Sequence, residues 1–261
     1  KVVLPIANGF YESDSLPISA QECVNFYPNI AQAPALNQET LYGTAGLEEV
    51  ANANSLTGNR GAHEMNGVPY FVIAGRLYSM AANFTLTFIG EIAGDKRVSM
   101  ADNGTQLLIL VPNGNGYIYN HVTDTFAQIT DSDFTANGNP QLVVYIDGFF
   151  CLTTDSKKFI VSALNDGLSY NALDFGTAES DPDEIVAPIV FKNQLFIGGS
   201  QTIEAFQNIG GADFPFQRTG LFLSKGIASP FSIQSLQGTF VFIGSGQNES
   251  PAIWAFEGND A

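Results

Sequence analysis

The chain has 261 residues, a hydrophobic fraction of 45%, and 26 acids against 10 Lys and Arg, for a net charge of −16. Counterion-release binding to phosphates needs clustered Lys or Arg, and the absence of any basic cluster argues against tight nucleic-acid binding. No stretch approaches the roughly 18 consecutive apolar residues that span a bilayer, so no membrane span is expected.

Residues 1–60 read as an extended N-terminal arm with short strand pieces such as Cys23–Tyr27. Pro5, Pro17, Pro28 and Pro34 each lack the amide a sheet needs and break any regular element. Such an arm could close a fold or reach a neighbouring subunit. Lys1 is not preceded by Met, and no apolar signal segment follows it, so residues upstream are expected to be missing or trimmed.

From residue 61 onward a repeat sets in. Tyr70–Tyr78 follows Asn66-Gly67, Leu107–Val111 follows Asn103-Gly104, and Phe149–Leu152 follows Asp147-Gly148. Ile185–Phe191 and Leu195–Ile197 flank a Lys192-Asn193-Gln194 turn, and Phe240–Ile243 follows Gln237-Gly238. Taking Gly67, Gly104, Gly148, Asn193 and Gly238 as equivalent, the intervals are 37, 44, 45 and 45 residues. Gly and Asn supply the positive φ that tight hairpin turns require. After each turn come an apolar run, a break and a second strand, such as Gly116–Tyr119 or Ile253–Phe256. Four short strands every 40–50 residues or so is the period of β-propeller blades.

The fold class expected is therefore all-β, a β-propeller with units near 61–90, 96–134, 141–175, 185–226 and 227–258; evenly spaced hairpins of a β-sandwich are the alternative. The acidic stretch Asp174–Glu184 reads as a solvated connection between blades. Five units close a ring less readily than six or seven, so the chain reads as the N-terminal portion of a longer one.

Chemistry is sparse. His63 and His121 lie in different units without ligand spacing, and no nucleophile elbow or phosphate loop occurs. Asp181, Asp183 and Glu184 are calcium candidates by their carboxylates, but the segment lacks the spaced acids and glycine of a calcium loop. No catalytic residue and no cofactor are expected, and the chain reads as a non-enzyme. Cys23 and Cys151 lie 128 residues apart, and Cys151, inside an apolar run, is expected to be a buried free thiol.

Gln21-Glu22-Cys23-Val24-Asn25-Phe26-Tyr27-Pro28 reads Q-x-C-V-N-x-Y-P, and Leu41–Leu47 reads L-Y-G-T-P-G-L with Ala45 in place of proline. These collinear motifs resemble those of the packaged-DNA stabilisation proteins, the tail hub or nozzle of short-tailed bacteriophages. Asp181-Pro182-Asp183 with Ile185-Val186, Gly199-Ser200 with Thr202-Ile203-Glu204, and Ala212–Arg218 (ADFPFQR) continue the resemblance, as do Lys225–Ala228 and Ile253-Trp254. The strand around Phe240–Ile243 lacks the tryptophan many members carry.

The resemblance implies a virion structural protein, assembled in the host cytoplasm and forming a hexameric ring below the portal and its adaptor. That ring would contact needle or spike components, retain packaged DNA and conduct it during genome ejection. Six copies at −16 carry about −100, which would repel DNA in the lumen rather than bind it; solubility alone is the plainer account of that charge. Interface candidates are Asn25 and Tyr27 in the arm, and Asp213, Phe214, Phe216 and Arg218 in the 212–218 loop, where the two phenylalanines could instead plug their own blade. A glycan-binding or glycosidase-like propeller is the alternative function, marked by carboxylates and an aromatic converging at one mouth of the channel. A plain interaction propeller is a third.

Overall fold

The computed structural model describes residues 24–30, 39–55, 57–178, 183–211, 214–256 and 258. It divides into two compact units, 1–50 and 51–261. In the first, β1 (Phe26–Ile30) and β2 (Glu39–Gly43) form an antiparallel hairpin in which Tyr27 faces Tyr42, their rings stacked at 5.9 Å.

The second unit is five successive antiparallel sheets. The first is β3 (Asn59–Met65), β4 (Val68–Ile73), β5 (Arg76–Met80) and β6 (Leu86–Glu91). The second is β7 (Ser99–Asp102), β8 (Gln106–Leu110), β9 (Gly116–Asn120) and β10 (Thr125–Gln128). The third is β11 (Pro140–Ile146), β12 (Phe149–Thr154), β13 (Lys158–Ala163) and β14 (Asp166–Thr177). The fourth is β15 (Ile185–Phe191), β16 (Gln194–Gly199), β17 (Ile203–Asn208) and β18 (Phe216–Leu223). In the fifth, β19 (Gly226–Ile227) and β20 (Ile233–Leu236) share one edge of β21 (Thr239–Ser245), and β22 (Ala252–Ala255) takes the other. A 3-10 turn, Ser132–Thr135, is the one helical element among the described residues, and no helix there is long and apolar enough to cross a membrane. This is the blade repeat of a β-propeller.

The continuous apolar runs have a direct cause. A strand whose neighbours cover both faces has no polar side, so period-2 alternation disappears. In β8, Leu107 and Ile109 pack toward the first sheet while Leu108 and Leu110 pack toward the third. In β12, Phe150 and Leu152 face the second sheet and Cys151 the fourth. In β16, Leu195 and Ile197 face the third sheet and Phe196 the fifth. Alternation returns in the terminal sheets. In β21, Phe240 and Phe242 are buried against the fourth sheet, whereas Val241 is half-buried and Ile243 exposed.

One connection departs from its expected character. The stretch 174–184 is not simply a solvated link, because β14 runs on to Thr177, Ala178 is buried, and Asp183 is only 7% exposed. A carboxylate tolerates that burial because backbone amides satisfy it. Cys151 is buried as a free thiol, pushed well above the ordinary thiol range, first by burial and then by Asp147.

Candidate functional site

Each sheet has two ends. One gathers the turns joining first to second and third to fourth strands; the other gathers the turns joining second to third strands and the links between sheets. In four sheets the first hairpin turn has both central residues at positive φ: Asn66/Gly67, Asp147/Gly148, Lys192/Asn193 and Gln237/Gly238. That is type I′ geometry, matched to strand twist. The second sheet uses a longer turn, in which Asn103 Oδ1 accepts the amides of Thr105 (2.9 Å) and Gln106 (2.6 Å).

At this turn end, polar groups cross from sheet to sheet. His63 Nε2 lies 2.7 Å from Asp102 Oδ2, and Asp102 Oδ1 accepts the Gly104 amide at 2.8 Å. Asn66 Nδ2 donates to the Gly104 carbonyl at 2.7 Å, and His121 Nε2 stands 2.9 Å from the same oxygen. Further round, the Gly167 amide of the third sheet donates to Gln106 Oε1 of the second (2.8 Å), and within the third sheet Tyr145 donates to Asn165 Oδ1 (2.8 Å). Burial, then the nearby carboxylates, raise the Tyr70 hydroxyl, and burial with the Asp124 hydrogen bond pushes Tyr119 up to about 12. Both histidines lie at one seam, between the first and second sheets.

The opposite end is fastened differently in each sheet. The approach to the first strand is tied to the second-to-third turn of the same sheet. Buried Arg60 donates to the carbonyls of Ala74 (2.9 Å), Ile92 (3.0 Å), Ala93 (3.2 Å) and Lys96 (2.7 Å); desolvation lowers its pKa. Lys96 reaches Pro112 O at 3.3 Å, and Asn139 donates its amide to Asp155 Oδ1 at 2.7 Å. Asp183 accepts the amides of Gln201 (2.7 Å) and Thr202 (3.0 Å), and Lys225 pairs with Glu249 while lying over Trp254 at 4.3 Å. Near the first strands a cavity of about 350 Å³ is lined by Leu142, Glu184, Val186 and Phe231, and Arg97 lies 4.0 Å from the Phe231 ring centre. Its lining carries a single carboxylate, Glu184.

The sequence-derived candidates fall in separate places. Asn25 has φ 60° and its carbonyl accepts the Thr44 amide at 2.9 Å, while Tyr27 is exposed on β1. Phe216 is buried and Phe214 half-buried. Their rings lie 6.0 Å from Phe149 and 5.6 Å from Phe159, between the third and fourth sheets. Arg218 Nε lies 2.8 Å from buried Glu204 Oε2, and its Nη2 donates to Thr177 O at 2.7 Å. Asp181 and Asp213 lie outside the described residues, and Glu184 is exposed beside Asp183. Among the described residues no group of three or more His, Cys, Asp or Glu is placed to hold a metal. Arg60, Glu204 and the His63–Asp102 pair carry no local sequence signal, since their partners lie up to 39 residues away.

Comparisons with known proteins agree with this architecture. The family model described as Bacteriophage P22 Gp10, beta-propeller, matches residues 2–261. The tail hub protein gp10 of Salmonella phage P22 is 26% identical over 236 residues, covering 79% of this chain and 48% of that protein. The chain thus spans about half the length of this curated relative. Virginiamycin B lyase from Staphylococcus aureus superposes with TM-score 0.54 at 11% identity, covering 78% of this chain and 71% of the lyase. The computationally designed Ika8 protein superposes with TM-score 0.52 at 11% identity, covering 90% of this chain and 69% of the design. At such identities the two structures share the fold alone.

Proposed function

The chain belongs to the phage stabilisation family of Bacteriophage P22 Gp10 β-propellers, and on that premise we propose that it is a non-catalytic structural part of a short-tailed phage tail hub. Its role is to assemble with copies of itself into a ring, a hexamer below the portal and adaptor, and to meet the needle or spike on the far side. The ring retains packaged DNA and conducts it on ejection, within a virion assembled in the host cytoplasm. The observation that carries this reading is the family match over residues 2–261, because it runs through the arm and all five sheets rather than through the blade repeat alone.

The charge distribution supports passage rather than grip. Arg60 and Lys96 bond to backbone carbonyls, Lys225 to Glu249 and Lys158 to Asn137 Oδ1 (2.9 Å). Cations held this way are spent on the fold and do not form a phosphate-binding row. The β1–β2 hairpin exposes Val24, Phe26, Tyr27, Leu41 and Tyr42, more apolar surface than a two-stranded sheet keeps in water by itself. This supports a contact role for the arm, with Asn25 fixing the hairpin end and Tyr27 presenting the ring. The exposed apolar outer faces of the terminal sheets, with Phe88 on the first and Ile243 and Ile253 on the fifth, are positions for further β-structure of the full-length protein.

Mass by light scattering, with negative-stain images of the same sample, tests the assembly. A ring near six times the 27.9 kDa chain with a central hole is the expected result. A strict monomer whose melting temperature rises with carbohydrate would overturn it in favour of a glycan-binding propeller.

A further inference from the structure

The two ends of the sheets differ in charge. Of the nine Lys and Arg described in residues 51–261, seven sit at the end where the sheets are fastened, Arg218 lies within β18, and Lys192 alone occupies a turn-end position. Among the described residues the turn end carries five carboxylates on turns or strand termini: Glu64, Asp102, Asp124, Asp147 and Asp166. Among these residues the turn end is therefore acidic, while the other end sets carboxylates such as Asp95, Asp155 and Glu249 beside its cations.

The same end is tipped with apolar side chains in one repeated loop. The loop joining third to fourth strand exposes Phe84 in the first sheet (49%), Val122 in the second (69%), Leu164 in the third (63%) and Ile209 in the fourth (60%). A single exposed apolar residue needs no explanation, but recurrence in the same loop of four successive blades does. The loops are also held in place. Asn83, Asn120 and Asn208 close Asx turns onto the amides of Thr85, Val122 and Gly210 at 3.2, 3.0 and 2.8 Å. Phe84 is kept at φ 64°, a conformation that favours glycine, and its amide donates to Ala81 O at 2.9 Å.

That these tips share one end follows from contacts between sheets. Asn66 of the first sheet meets Gly104 of the second, and Gln106 of the second meets Gly167 of the third. Phe149 of the third meets Phe216 of the fourth, and Phe191 of the fourth meets Phe240 of the fifth at 5.5 Å. All of these residues are turn-end residues of their sheets.

We propose that the turn end is the docking face for a protein partner whose own surface sets Lys or Arg among apolar side chains. The apolar tips supply contact area, and the carboxylates between them select a basic partner and reject an acidic one. This deepens the tail-hub reading and rests on it, since the partner is another component of the particle.

The test uses phage particles carrying the full-length protein, with Val122→Asp, Leu164→Asp, Ile209→Asp and Asp147→Lys at the turn end and Gln247→Asp at the opposite end. The expected result is a roughly 10-fold loss of incorporation for the turn-end variants, the scale of losing an interface anchor, with Gln247→Asp incorporated normally. Purified variants should melt with the wild type, which separates docking from folding. Wild type incorporated and turn-end variants incorporated equally well would overturn this proposal alone, as would an equal loss from Gln247→Asp. Loss from the three apolar variants but not from Asp147→Lys would overturn the basic character of the partner. Wild type absent from particles would overturn the tail reading, and this one with it.

Discussion

His63 Nε2 and Asp102 Oδ2 stand 2.7 Å apart across the seam between the first and second sheets, joining β3 to β7. Both side chains are about a quarter exposed, at 26% and 23%, so the pair is partly screened. Replacing either, as His63→Ala or Asp102→Asn, is expected to cost about 1 kcal/mol, the scale of one partly buried polar contact. Because the two share one interaction, the double variant should lose much less than the sum of the singles. Urea denaturation of the four proteins measures both quantities, and strict additivity would show that the pair does not couple the seam.

Arg218 stands against Glu204, whose side chain is 4% exposed while the Arg218 side chain is 37% exposed. Taking the guanidinium away strips a buried carboxylate of a charged partner. Arg218→Ala is therefore expected to destabilise the chain by about 2–3 kcal/mol, at or below the lower end for a fully buried pair because Arg218 is partly in water. If Arg218 were instead a free interface anchor, its loss would leave the denaturation midpoint unchanged and lower the oligomer mass alone.

How much of this was legible in the sequence depends on how far each interaction reaches. The four two-residue first-hairpin turns were marked in the sequence by a Gly or Asn, because the positive φ they need is a local requirement, stated outright by Asn66-Gly67 and Asp147-Gly148. The apolar runs of β8, β12 and β16 gave the strands, though not which alternate residue faced which neighbouring sheet. The contacts of Arg60 and Glu204 could not be read, since their partners lie on a neighbouring strand, a turn or a link 14 to 36 residues away in the chain. Phe214 and Phe216 could be read either as anchors around Pro215 or as plugs of their own blade, and nothing local in the sequence pairs their rings with Phe159 and Phe149. Asp183 looked like part of a solvated acidic cluster until the turn at Gln201 and Thr202 folded onto it.

Asp183 carries the next expectation. Its Oδ2 accepts two backbone amides, and the Thr202 hydroxyl lies 3.4 Å from both of its oxygens, so the carboxylate already has protein partners. Asp183→Ala should cost about 2 kcal/mol, by stranding buried amides at the turn. Millimolar calcium should leave the wild-type melting temperature where chelator leaves it. A calcium-dependent rise that Asp183→Ala abolishes would make the carboxylate a ligand instead.

Gly244 makes a sharper test of the junction within the fifth sheet. A Cβ there would run into the Gly226 carbonyl, which pairs with this stretch through β19. Backbone cannot yield as a flexible side chain can, so Gly244→Ala is expected to cost about 2–3 kcal/mol, at the upper end for overpacking. Gly43→Ala, where a Cβ meets nothing within 4 Å, is the matched control and should fall within about 0.5 kcal/mol of wild type. Equal midpoints for the two would mean that β19 is not held against β21.

Tyr119 ties stability to alkaline pH. Its hydroxyl donates to Asp124 Oδ1 at 3.0 Å, and burial, then that bond, lifts it from an ordinary 10 to about 12. The raised value means that the folded chain holds this proton more tightly than the unfolded chain does. The resulting contribution to stability is complete below pH 10 and fades as pH rises from 10 toward about 12, because there the unfolded chain releases the proton first. Absorbance at phenolate wavelengths, wild type minus Tyr119→Phe, isolates the single group. The difference should titrate near pH 12, and Asp124→Asn should move it down by removing the negative charge, while the amide oxygen can still accept the hydroxyl. A difference curve centred at 10 would mean that the hydroxyl is in water, and that the Tyr119–Asp124 bond does not brace the loop that carries Val122.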